Sequence, residues 1–131
     1  MLNSGPRRYK LKSEKYFRTS LLPATYDSVA GQVKTLLGEA RWLSFTTDAW
    51  SNPTKTCSLL SFTGHFLDGP CRRKMILSGM VLNHDHDAKY LARKLTAAIS
   101  TWGLQEKIHL GMWDNAANMI AATQIAGIRD M

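Results

Sequence analysis

Three strand-like segments joined by two short turns are the feature of this sequence that most constrains its fold. The segments span residues 41–48, 56–66 and 72–82. The turns contain Ser51-Asn52-Pro53 and Asp68-Gly69-Pro70, and residues of these types favour chain reversal. Connections of this length predict an antiparallel meander of three strands.

A helix is predicted after the third strand, because the spacing of apolar residues changes there from that of a strand to that of a helix. Asp85 or Asp87 is expected to cap the start of this helix, and Gly103 is expected to end it. The apolar stripe of the helix consists of Leu91, Leu95, Ala98, Ile99 and Trp102.

A fourth strand and a last helix complete the pattern. Residues 108–113 predict the strand, and residues 115–126 predict a helix of small residues that Gly127 ends. A strand that is reached through a crossover helix should lie parallel to a strand already in the sheet, and the first strand is the natural partner. The predicted fold class is therefore α/β, a helix followed by β-β-β-α-β-α with a mixed sheet.

The first 20 residues differ in composition from the rest of the chain. They carry six basic residues against one acid, which is most of the net charge of +7. They show no apolar period, so residues 1–20 are predicted to form a basic flexible arm and residues 21–131 the folded domain. The domain is expected to begin with a helix after Pro23, with Thr25 as its N-cap and Gly38 near its end.

Two aspartates follow from this topology as candidate site residues. Asp48 ends the predicted first strand, and Asp114 follows the fourth. If these strands are parallel neighbours, both carboxylates reach the same edge of the sheet, where ligands of α/β folds tend to bind. Two such carboxylates suit Mg²⁺ or Mn²⁺. The alternative is structural: Asp48 begins a turn and Asp114 caps the last helix.

Two sequence motifs add a resemblance to a known family. The first is Leu43-Ser44-Phe45-Thr46-Thr47-Asp48-Ala49-Trp50-Ser51, and the second is Asp114-Asn115-Ala116-Ala117-Asn118-Met119. With Leu22-Pro23-Ala24-Thr25-Tyr26, His65-Phe66-Leu67-Asp68 and His86, they resemble the hAT superfamily of DNA transposases and its domesticated relatives, the BED-type zinc-finger proteins. The resemblance covers roughly residues 15–127. Trp113 departs from the family pattern, in which a smaller residue usually precedes the aspartate.

The resemblance implies an RNase H-like domain in which three acids hold two divalent metal ions for DNA cleavage and joining. Asp48 would be the first acid and Asp114 the second. The third acid of the family is a glutamate far downstream, and the only acid that follows Asp114 here is Asp130. The domain is therefore expected to be a truncated RNase H-like fold with a vestigial site, in which Asp48 and Asp114 hold Mg²⁺ or Mn²⁺ weakly.

Basic clusters indicate DNA as the expected partner. A chain with this excess of positive charge meets polyanions readily, and lysine and arginine bind phosphates. The resemblance adds a nuclear location, transcription regulation and association with other transposase-family chains as expectations. Neither a membrane nor a small-molecule substrate is expected. The candidate DNA-binding residues are Arg7, Arg8, Lys10, Lys12, Arg72, Arg73 and Lys74.

Other chemistry-bearing residues give weaker patterns. His84-Asp85-His86-Asp87 resembles a metal site, but neighbouring residues of an extended segment point to opposite sides. Cys57 and Cys71 match no familiar zinc or redox spacing and are not expected to form a disulfide. No zinc is therefore predicted in this chain.

Three functions remain open on the sequence. The leading hypothesis is a hAT-derived, catalytically incomplete nuclear protein that binds DNA or other transposase-family chains. The second is an active metal-dependent nuclease or transposase, completed by Asp130 or by an acid of another subunit. The third is an interaction module without DNA contact.

Overall fold

The computed structural model describes residues 10–83, 87–114 and 116–129. The chain divides into two compact units, Met1–Thr35 and Leu36–Met131. The elements in chain order are α1 (Glu14–Tyr16), a π-helical turn (Phe17–Leu21), α2 (Leu22–Glu39), β1 (Leu43–Ser51), β2 (Ser58–Asp68), β3 (Cys71–Val81), α3 (Ala88–Thr101), β4 (Ile108–Met112) and α4 (Ala117–Ile125).

The four strands form one mixed sheet in the order β3-β2-β1-β4. β1 pairs with β2 and β2 with β3 in antiparallel fashion, whereas β1 pairs with β4 in parallel. The predicted meander, the parallel fourth strand and the α/β fold class are therefore confirmed. This mixed sheet with its helices is consistent with a truncated RNase H-like fold.

The strands are longer than predicted at some ends because cross-strand hydrogen bonds continue past the apolar residues. β1 runs to Ser51 rather than ending at Asp48, since its register with β2 continues to the pair Ser51↔Ser58. The turn after β1 is held by Asn52, whose side-chain oxygen accepts from the backbone N–H of Cys57 at 3.0 Å. Gly69 makes the second turn with a φ of +56°, a conformation that glycine adopts without strain.

The two faces of the sheet differ in burial. On β1 the side chains of Leu43, Phe45 and Thr47 are buried, and this side of the sheet is called the core face. The opposite side, which carries Thr46 and Asp48, is called the open face. The buried residues of α3 and α4 complete the core, and they are Leu91, Ala92, Leu95, Ala98, Ile99, Met119, Ala122 and Thr123.

Asp87 caps α3, because its side-chain oxygen accepts from the backbone N–H of Tyr90 at 2.6 Å. This resolves the choice between Asp85 and Asp87 in favour of the latter. The helix ends at Thr101, and Gly103 follows with a φ of +65°. The indole N–H of Trp102 donates to the carbonyl of Leu77 at 2.9 Å and so ties the end of α3 to β3.

The first helix begins earlier than the sequence predicted. Ser13 caps α1 by accepting from the N–H of Tyr16, so residues 14–20, which were assigned to a flexible arm, are helical. Thr25 lies inside α2 and is not its N-cap. Proline lacks an N–H and its ring clashes with the carbonyl four residues earlier, and the wider π-helical turn before Pro23 accommodates that clash.

The end of α2 is fixed within the second unit by Lys107, which lies just before β4. Its ammonium donates to the backbone carbonyls of Leu37, Gly38 and Ala40 at 2.8, 2.6 and 3.0 Å. Carbonyls at the end of a helix lack partners within the helix, and a lysine satisfies them while also facing the negative end of the helix dipole. Among the described residues, no helix is both long enough and apolar enough to cross a membrane.

Candidate functional site

The candidate site lies on the open face, where β1 and β4 run side by side. Their parallel register pairs Ser44 with Leu110 and Thr46 with Met112. Asp48 and Asp114 each lie two residues beyond the last of these pairs. Side chains two residues apart share a face of a strand, so Asp48 lies on the open face with Thr46. β4 ends at Met112, and Asp114 would lie opposite Asp48 if the register continued for two more residues.

A β-bulge in β4 sets this register. Leu43 pairs with Ile108 but Ser44 pairs with Leu110, so His109 is an extra residue on β4. A shift of one residue turns every following side chain to the other face of a sheet. Without the bulge, the core-facing Trp113 would occupy the position opposite Asp48, and Asp114 would point towards the core. The bulge therefore determines which residue after β4 would face Asp48 if the pairing continued.

The two structural alternatives for these aspartates do not hold. Asp48 does not begin a turn, because it pairs with Ser61 inside the β1–β2 ladder. Asp114 does not cap α4, because the N-cap is Ala116 and no side chain caps that helix. Both residues are exposed, and neither carboxylate has a hydrogen bond or an ion pair with another described residue.

The donor chemistry of this pair suits a hydrated divalent cation. Carboxylate oxygens are the side-chain ligands that Mg²⁺ prefers, and this ion commonly retains several waters when only one or two carboxylates bind it. Within residues 10–83, 87–114 and 116–129, no group of three histidine, cysteine or acidic side chains gathers at one place. Asp48 and Asp114 would thus be the two protein ligands of a single ion, and Asp130 lies outside the described residues.

The predicted basic cluster on β3 is divided between the two faces of the sheet. Arg72 and Lys74 lie opposite Leu67 and His65, which places both on the open face. Arg73 lies on the other face, and its guanidinium forms an ion pair with Asp68 at 3.0 Å. Arg72 and Lys74 are exposed and have no ion pair with a described residue, so they present unneutralised charge.

His65 is a site residue that the sequence analysis did not assign. Its Nε2 lies 3.0 Å from the hydroxyl of Thr46, whereas its Nδ1 is buried without a hydrogen-bond partner among the described residues. Burial lowers the pKa of His65, and the positive charges of Arg72 and Lys74 lower that pKa further. The imidazole is therefore neutral at neutral pH. Only its place in the His65-Phe66-Leu67-Asp68 motif marked it in the sequence.

Two overlapping clefts surround His65 on the open face. The first has a volume of about 300 Å³ and reaches Arg41, Trp42 and His109. The second has a volume of about 350 Å³ and reaches Thr46, Arg72 and Met112. The residues that line both clefts are Ser44, His65, Phe66, Leu67 and Leu110. We call the two clefts together the open-face groove.

The remaining predicted residues do not join this site. Lys10 and Lys12 are exposed in the first unit, and the ammonium of Lys12 lies 5.6 Å from the ring centroid of Tyr16. Arg7 and Arg8 lie outside the described residues, as do His84 and His86 of the discounted metal motif. Cys57 and Cys71 are both exposed free thiols.

Comparison with known proteins identifies one family. The family described as the ZBED1 RNase-like domain matches residues 46–128, which is more than half of the chain. The match includes Asp48, His65, the basic segment of β3 and Asp114. No curated protein matches this chain.

Proposed function

Because the chain belongs to the ZBED1 RNase-like domain family, a transposase-derived RNase H-like domain, we propose that it is a nuclear DNA-binding protein derived from a hAT transposase. It binds duplex DNA through basic side chains and does not cut it. The relatives of such a domain include BED-type zinc-finger proteins, and association with other transposase-family chains belongs to the same proposal.

The observation that carries the proposal is the placement of Arg72 and Lys74. Both are exposed on the open face, and neither is neutralised by a carboxylate of a described residue. Arg73, between them, is paired with Asp68 and points the other way. Phosphate contacts position a protein on DNA without reading its sequence, so two unpaired cations on one face support binding that is independent of sequence.

Binding without cleavage rests on the geometry of the two aspartates. Two-metal phosphoryl transfer requires both ions to be held about 4 Å apart. In this proposal Asp48 and Asp114 share one ion, and a second ion would have to be held mostly by water and substrate phosphate. A loosely held ion would slow DNA cleavage, since a displacement of the reacting groups by about 1 Å can reduce the reaction rate by roughly a hundredfold.

A salt titration tests this function. Two fluorescently labelled duplexes of unrelated sequence are titrated with the full chain at 50 mM and 200 mM salt, and binding is followed by anisotropy. We expect similar affinity for both duplexes and a steep loss at the higher salt, because the cations displace counterions from the phosphates. Equal affinity at both salt concentrations, or a strong preference for one duplex, would contradict the proposal.

The second candidate function is a metal-dependent nuclease or transposase completed by another acid. The parallel pairing of β1 with β4 favours it, because Asp48 lies on β1 and Asp114 follows β4 by two residues. Cleavage of supercoiled DNA that needs Mg²⁺ and disappears in the Asp48→Asn variant would establish this function instead.

A further inference from the structure

We propose that the open-face groove binds a single-stranded nucleic acid segment, with a base stacked on Trp42 and phosphates held by Arg41 and Arg72. This inference rests on the proposed function and names a second mode of nucleic-acid binding by the same face. It assigns a role to the end of the sheet where β1 begins, away from the two aspartates.

Trp42 has the properties of a stacking platform. It lies at the rim of the first cleft and remains 54% exposed. The His109 ring lies 5.8 Å from it by centroids and is tilted by 53°, so His109 supports the indole without covering it as a parallel ring would. Bases of single strands stack on exposed aromatic rings of this kind, whereas the bases of a duplex are already stacked on each other.

The charges of the groove favour an anionic chain. The guanidinium carbon of Arg41 lies over the Trp42 ring at 5.9 Å from its centroid, so a base would stack on the opposite face of the indole with this cation nearby. Arg72 lines the second cleft. None of the described residues that line the two clefts is acidic. A phosphate on either side of a stacked base would therefore find a cation and no repelling carboxylate.

Polar side chains line the middle of the groove. His65 and Ser44 both line the two clefts, and their positions are paired across β1 and β2. The Nδ1 of His65 is buried and its Nε2 lies 3.0 Å from the Thr46 hydroxyl, so the half-buried Ser44 hydroxyl is the group that a base edge could reach.

The separation of the two cations favours a strand over a free nucleotide. Arg41 directly precedes Trp42 at the start of β1, whereas Arg72 lies on β3, two strands away across β2. Neighbouring strands are about 4.8 Å apart, so the groove spans roughly 10 Å between β1 and β3. Stacked nucleotides repeat about every 3.4 Å along a strand, so this width corresponds to about three of them, and a mononucleotide on Trp42 would leave Arg72 without a phosphate.

The test compares the Trp42→Ala and Trp50→Ala variants of the full chain. Trp50 is the matched control, because it is similarly exposed at 53%, lies on β1, which begins one residue after Trp42, and does not line the groove. Each variant is titrated against a labelled ten-residue oligothymidylate and against a duplex. We expect Trp42→Ala to weaken oligothymidylate binding by roughly 5- to 150-fold and to leave duplex binding unchanged. Trp50→Ala should bind both as the wild type does.

Further measurements distinguish the possible reasons for a negative result. Trp42→Phe keeps an aromatic ring and should retain most of the oligothymidylate affinity. Thymidine monophosphate should compete with the oligothymidylate only at far higher concentration. If it competed equally well per nucleotide, the groove would bind free nucleotides and the proposal would be overturned. Unchanged oligothymidylate binding by Trp42→Ala, with normal duplex binding, would overturn this inference alone. Failure of the wild type to bind either nucleic acid would overturn the proposed function as well.

Discussion

Trp113 stacks on Phe45 with ring centroids 6.4 Å apart and an interplanar angle of 28°. This contact holds the residue before Asp114 against the core face, and successive residues of an extended chain point to opposite sides. The large residue that departs from the family pattern thus packs on the core face. The stack and the bulge at His109 agree, since both favour Trp113 on this face of the sheet.

Gly111 provides the space for this stack, and an alanine there should destabilise the protein. A Cβ at Gly111 would lie 2.5 Å from a ring carbon of Trp113 and 2.8 Å from one of Phe45. Overpacking of a rigid core costs about 1–3 kcal/mol, and we expect Gly111→Ala to lower the free energy of unfolding by that amount in urea titrations. Gly79→Ala is the control, because a Cβ at Gly79 meets nothing within 4 Å. Equal stability of the two variants would show that Gly111 is not confined.

Lys107→Met should also destabilise the second unit. The substitution keeps an apolar stem but removes the ammonium that donates to three carbonyls at the end of α2. A hydrogen bond from a charged group contributes about 1.5–3 kcal/mol, and we expect a loss of about 2 kcal/mol in the free energy of unfolding. Lys89→Met, at an exposed position of α3, is the matched control and should change stability by less than about 0.5 kcal/mol. Similar losses in both variants would contradict this role.

His65 should make the protein less stable in weak acid. Its pKa in the folded protein lies below the ordinary 6.5, first because of burial and then because of Arg72 and Lys74. Between these two values the unfolded chain binds a proton that the folded chain does not, so stability is complete above pH 6.5 and declines as the pH falls through the window below it. We expect the urea midpoint to fall between pH 7.5 and 5.5 in the wild type.

The variants His65→Gln and His109→Gln test whether His65 causes the pH dependence of the urea midpoint. In His65→Gln the fall in the urea midpoint should become smaller. His109→Gln changes an exposed histidine on the bulge and should retain the wild-type fall. A decline of equal size in the wild type and in His65→Gln would mean that other groups cause it.

The sequence predicted the sheet because its signals are local. Turn residues, apolar alternation and the length of the crossover determine the meander and the parallel β1–β4 pair. Residue type predicts an aspartate cap on α3 at Asp85 or Asp87, and the structure selects Asp87. The signals that failed depend on tertiary contacts. Nothing local marks His109 as a bulge, and the three-residue basic run gives no indication that Asp68 neutralises only Arg73.

The start of the first helix was missed for a similar reason. Thr25 suggested a helix start after Pro23, since threonine commonly caps the N-terminus of a helix. In the structure the preceding residues widen into a π-helical turn and the helix continues through the proline. The Trp42 end of the groove was also not predicted, because it forms only where β1, β2 and β4 meet.

The full chain should not cleave DNA in Mg²⁺ or Mn²⁺. Supercoiled plasmid incubated with purified wild-type protein should remain supercoiled on agarose gels, because two-metal cleavage needs a second ion beyond the one that we propose Asp48 and Asp114 share. The Asp48→Asn variant is the control. Nicking by the wild type that this variant lacks would favour the nuclease function, whereas nicking by both proteins would indicate a contaminating nuclease.

The salt dependence of duplex binding tests the central claim most directly. The logarithm of the association constant is measured against the logarithm of salt concentration for wild type, for the double variant Arg72→Gln/Lys74→Gln and for Arg73→Gln. Each lost phosphate contact reduces the slope by about 0.9, so the double variant should bind more weakly with a slope reduced by about 1.8. Arg73→Gln removes an equally basic neighbour that is paired with Asp68, and it should keep the wild-type slope. A double variant with the wild-type slope, or an Arg73→Gln variant with the larger loss, would contradict DNA binding by the open face.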